Sequence, residues 1–211
     1  MKRTNCIYSE LKKFQCLLLS NWQLYLLMIL LFLGIALGCM EVKHSSETFD
    51  NLLQYIIKDF FTRRAQVPFY KSFLYSFLSS FFIILILFFI GLSPVGFPVI
   101  LLVPFFRGFG LGIVSGYLYQ QYQLKGIAYS LLTIYPYSIL SVTALVLCSL
   151  ESWKMSARLI TVFHHSKFNS LDFSRESKIY LVRFIFYLGI ILISSIFDVV
   201  LTKLFSSFFI F

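Results

Sequence analysis

The sequence predicts an all-α fold, a polytopic transmembrane helix bundle of about five spans with its N-terminus in the cytoplasm, forming a single integral membrane domain over residues 1–211. Composition is the first observation behind this. Of the 211 residues, 59% are hydrophobic and 13% charged, against roughly 25% charged in soluble domains. Clustering is the second. The apolar residues gather into five runs, Asn21–Met40, Phe73–Ile90, Pro98–Tyr119, Gly126–Leu150 and Ile179–Leu201, each near the roughly 20 residues that cross a hydrocarbon core as a helix. The third is the brevity of what remains. The longest connections, Glu41–Ser72 and Glu151–Lys178, have 32 and 28 residues, fewer than the ~40 a chain needs to fold alone without staples. No soluble catalytic domain fits between the spans, which excludes most enzyme classes.

The N-terminal segment Met1–Ser20 carries Lys2, Arg3, Lys12 and Lys13 against the single acid Glu10. Basic residues flanking a first span hold that end in the cytoplasm. Trp22 and Tyr25 open the span at interfacial depth, and five crossings then put the C-terminus outside. Over the whole chain nine basic residues, the four of this tail included, fall in inside segments and seven in outside segments, so the first tail decides the orientation more than the totals do. The net charge of +9 thus reflects orientation and attraction to anionic lipid headgroups, with no nucleic acid expected. Ala36-Leu37-Gly38-Cys39 resembles a lipoprotein cleavage site. The stretch before it is long for a signal peptide, so the first span is read as uncleaved.

After the first span, Phe49, Leu52, Leu53, Ile56 and Phe60 fall on one face of a helix. Such a helix lies flat on the membrane, against the bundle or against a partner. The turn Gly91–Phe97 joins spans two and three and contains no charge. Pro104 interrupts span three, and Pro136, within Tyr135-Pro136-Tyr137, interrupts span four. A proline in a span frees backbone groups that neighbours must satisfy. Glu151–Lys178, with His164-His165, reads as a polar, basic loop.

Two constellations stand out. Gly34 and Gly38 in span one, and Gly108, Gly112 and Gly116 in span three, repeat at four-residue steps. Glycines at that spacing line a groove into which another helix can approach closely. Whether that helix is internal, a partner's or a second copy's stays open at this level. Arg107 sits near the middle of span three, where an arginine costs at least about 2.5–3.5 kcal/mol on insertion scales. It is either functional or structural, snorkelling to an interface where Pro104 shortens the span or held by the backbone carbonyls that proline frees. Asp198, near the outer end of span five, is the acid that could pair with it. Cys6, Cys16, Cys39 and Cys148 form no C-x-x-C pair. No catalytic motif, metal-ligand spacing or cofactor fingerprint is present, so catalytic, metal and cofactor-binding residues are expected to be none. A small membrane transporter or permease subunit is the alternative to a packing and recruiting role, motivated by Arg107 and the two prolines.

Three stretches, Asn21–Gly38, Pro98–Gly126 and Ser194–Phe205, together resemble the stage II sporulation protein M family. The most specific part is Arg107-Gly108 through Gly116, followed by Lys125-Gly126, with Asp198 after paired serines at the family's acidic position. The likeness takes in nearly the whole chain. Pro136-Tyr137-Ser138 departs from it, since the family's fourth span often follows the proline with polar amides. The resemblance implies a non-catalytic scaffold for engulfment during endospore formation. It would act at the sporulation septum and engulfing cell membrane, in peptidoglycan remodelling, with stage II sporulation proteins D and P, both peptidoglycan hydrolases, as partners.

Overall fold

The structure, a computed structural model, describes residues 22–44, 53, 55, 67–94, 96–165 and 170–206. The basic N-terminal segment, and most of the amphipathic stretch after the first span, lie outside these residues. The described residues are almost entirely helical and contain no strand. The helices are α1 (Trp22–Lys43), α2 (Phe69–Gly91), α3 (Phe97–Tyr129), α4 (Tyr135–His165) and α5 (Ser170–Ser206), with a five-residue π-helical segment, Ser130–Ile134, between α3 and α4. All of these form a helical membrane bundle.

By length and apolarity four stretches can cross a membrane: Trp22–Lys43, Phe69–Gly91, Phe97–Ile160 and Glu176–Leu204. The third is 64 residues long. A straight helix of that length would run about 96 Å, three times a hydrocarbon core of about 30 Å. It folds back instead. Gln123 leaves the helical region at φ 48°, ψ −125°, the one positive φ among the described non-glycine residues. Three residues on, a Cβ at Gly126 would run into the carbonyl oxygen of Leu118, so only glycine lets the returning chain pass this close. The two limbs then touch in antiparallel register, Tyr135 Oη reaching Ser115 Oγ at 3.4 Å and Arg107 reaching Ser141. The 64-residue stretch therefore holds the third and fourth expected spans, and the reversal falls in the gap between them.

The expected loop Glu151–Lys178 is corrected by the structure. α4 continues to His165 and α5 begins at Ser170, so most of this polar segment is helix. Charges on the two extensions hold each other: Arg158 pairs with Glu176 at 2.8 Å, Arg183 with Glu151, and Lys154 with Glu151 at 3.9 Å. Arg183 falls inside the fifth apolar run of the sequence, yet stands half exposed beside these charges. At the same end Trp153 packs edge-on against Trp22 and Phe97, with ring centroids 5.4 and 4.8 Å apart. These rings bring the starts of α1 and α3 and the Trp153 turn of α4 to one end of the bundle, and tryptophan is the residue usual at a membrane interface.

α4 is the central helix and touches each of the other four. It does so with small polar residues. Ser152 Oγ donates to the Leu87 carbonyl at 3.0 Å, Ser156 Oγ to the Ser93 carbonyl at 2.9 Å, and Ser194 Oγ of α5 to the Tyr137 carbonyl at 2.8 Å. Between helices in lipid, close packing and hydrogen bonds replace the hydrophobic drive, because the tails outside are as apolar as the side chains inside. Gly91 belongs to the same joint, since a Cβ there would collide with the Tyr180 hydroxyl and crowd Ser152.

Candidate functional site

The glycine steps of α1 and α3 face one another. A Cβ at Gly34 would strike the Phe105 carbonyl oxygen, and one at Gly38 that of Phe109. From the other side, Cβ atoms at Gly108 and Gly112 would strike the carbonyls of Leu31 and Ile35. Gly116 completes the row, where an added Cβ would lie 3.3 Å from the Cα of Cys39. Cys39 Sγ lies 3.3 Å from the Gly112 carbonyl oxygen, a weak donor closing the same seam. Both glycine rows are therefore filled by the chain's own helices, the internal one of the three possibilities the spacing leaves open. Just beyond the seam, Val42, Tyr117 and Leu53 form a small buried cluster, so the stretch after α1 packs on the bundle at Leu53.

Arg107 follows directly from this seam. Gly108 must face α1, so the preceding residue turns away from it, toward α4, where Arg107 Nη2 donates to Ser141 Oγ at 3.3 Å. Its Nε is buried without a hydrogen-bond partner. Beside it a cavity of about 510 Å³ opens between α2, α3, α4 and α5. Val103, Arg107 and Gly110 form its α3 wall, with Ile83 from α2, Thr133 from the π-helical segment and Thr202 from α5.

Both span prolines lie beside this region. Pro136 has no amide hydrogen, and just before it the chain widens into the π-helical segment, with the Tyr135 amide reaching back five residues to the Ser130 carbonyl. That widening sets Thr133 on the cavity wall, 2% exposed, its Oγ1 without a partner. Pro104 lies one turn before Arg107, fully buried within α3.

Asp198 is fully buried on α5. It accepts from Ser76 Oγ of α2 at 2.6 Å, a charge-assisted length, and from Thr202 Oγ1 at a long 3.5 Å. Arg107 thus bonds to α4 and Asp198 to α2, and Thr202 is the wall residue that links the carboxylate to the cavity. The sequence marks Arg107, Pro136 and Asp198 but not Ser76, Ser141, Thr133 or Thr202. Serine and threonine are too common in helical spans to be singled out without knowing what they face. Among the described residues no group of three His, Cys, Asp or Glu is placed to hold a metal ion.

A multi-pass helical membrane protein, sealed internally by a glycine seam and carrying a charged cavity within its spans, is the class these features define. The family model of stage II sporulation protein M matches residues 27–203, and the chain belongs to that family. It is accordingly a sporulation-related membrane protein, of a family not known for enzymes. No curated protein and no solved structure gives a significant match.

Proposed function

We propose that this chain is a non-catalytic membrane scaffold for engulfment during endospore formation. It recruits peptidoglycan-degrading enzymes, stage II sporulation proteins D and P, and holds them at the septum and engulfing membrane. The observation that supports this reading is the family match, which reaches from α1 to α5. The geometry agrees with a positional role. Helices locked by glycine and serine contacts make a firm body whose outer surface offers apolar side chains to lipid and to a partner's single span. Gly189 on α5 has nothing within 4 Å of an added Cβ and stands exposed among Ile185, Phe186 and Ile193. A partner helix can approach closely there.

The test is a mild-detergent pull-down of the tagged chain from its source organism during starvation, with partners identified by mass spectrometry. Recovery of a membrane-anchored amidase or glycan-cleaving enzyme supports the scaffold. Gly189→Leu is expected to weaken that capture several-fold while insertion and expression stay normal. Recovery of an ATPase subunit with no wall enzyme would favour the second reading, a small transporter or permease subunit, for which the Arg107 cavity is the supporting observation.

A further inference from the structure

The cavity beside Arg107 has three properties that together describe an occupant. Its charge is of one sign: among the residues lining it, Arg107 alone carries charge. Its donors are incompletely used. The buried Nε of Arg107 has no partner, Nη2 has one neutral serine at 3.3 Å, and the Thr133 hydroxyl, 2% exposed, has no partner. Finally, its mouth faces the bilayer. Ile86 and Phe106 line it while standing 50% and 62% exposed, and Gly110 on the same wall meets open space.

We propose that this cavity binds an anionic amphiphile. A phosphate or carboxylate oxygen is held by the Arg107 guanidinium and the Thr133 hydroxyl, and the apolar tail passes Phe106 into the lipid. A guanidinium at mid-membrane needs a counter-charge and further acceptors, and an oxyanion supplies both through short charge-assisted bonds. The walls suit a tail, with Ile83, Val103, Leu111 and Val114 offering apolar surface. The volume of about 510 Å³ lies within the roughly 300–1,000 Å³ usual for ligand sites.

The full chain, purified in zwitterionic detergent and offered phosphatidylglycerol, phosphatidylcholine and palmitate together, is read by native mass spectrometry. The wild type is expected to retain an anionic species over phosphatidylcholine by about tenfold or more, because the choline cation of phosphatidylcholine cancels the charge that Arg107 would meet in an apolar site. Retained phosphatidylglycerol identifies a lipid phosphate as the source, and retained palmitate a fatty-acid carboxylate. Arg107→Gln is expected to abolish the preference. Gly110→Leu is expected to abolish it too: the new side chain fills the cavity, leaves Arg107 in place and meets no backbone, so this arm stands if Arg107→Gln fails to fold. A wild type without preference for anionic lipid, an undiminished preference in Gly110→Leu, or displacement by inorganic phosphate as readily as by either amphiphile overturns the proposal. None of these readings depends on partner capture, so their failure leaves the scaffold proposal standing.

Discussion

Gln123 shows how one residue carries strain so that two spans pair. Its φ of 48° with ψ of −125° is a conformation glycine adopts freely and side chains resist. Such positions cost on the order of 1–3 kcal/mol. The strain is held by the contacts of the two limbs it joins. Gln123→Gly is therefore expected to stabilise the folded chain by about 1 kcal/mol, read as a higher thermal unfolding midpoint in detergent. An unchanged or lower midpoint would show that the turn tolerates glutamine without penalty. Gly126 is the opposite case. Glycine already occupies the point of closest approach, and Gly126→Ala would drive a methyl into the Leu118 carbonyl.

The α1–α3 seam is the feature on which the helices most depend. Backbones meeting at glycine bury no large side chain, so the contact is made of dispersion and close carbonyl approach, and it tolerates no added bulk. Gly112→Leu is expected to destabilise by about 3 kcal/mol or to prevent a stable bundle, because the branched side chain would meet the Ile35 carbonyl. Gly110→Leu, two residues away and facing open space, is expected to leave the melting temperature within experimental scatter. Equal behaviour of the two variants in a thermal-shift series would refute the seam as drawn. The α4 serines act differently. They lend their hydroxyls to carbonyls on α2 and on the α2–α3 turn, fixing the rotation of the central helix about its axis.

For the whole molecule the ends of the bundle are distinct. Trp22, Phe97, Trp153 and the cluster Glu151, Lys154, Arg158, Glu176 and Arg183 mark one end. The reversal at Gln123 marks the other, and Lys125 follows it. The cytoplasmic N-terminus expected from the basic first segment predicts that a cysteine replacing Lys125 reacts with an impermeant maleimide on intact cells. A cysteine replacing Lys154 should react only after permeabilisation. The reverse pattern would invert the orientation, and labelling of both from one side would contradict the hairpin itself.

Sequence alone determined the helical membrane class, the glycine steps, the place of Arg107 within an apolar stretch, and the family. These are properties of residues close together along one helix, or of composition. Tertiary structure decided which glycine row meets which, that Glu151–Lys178 is helix, that Ser76 and Thr202 reach Asp198, and that Thr133 faces the same space as Arg107. The reason lies in the solvent. In water a helix declares its buried face by the contrast between apolar and polar sides. In lipid both sides are apolar, so the sequence leaves each span's rotation unmarked until residues from distant parts of the chain touch.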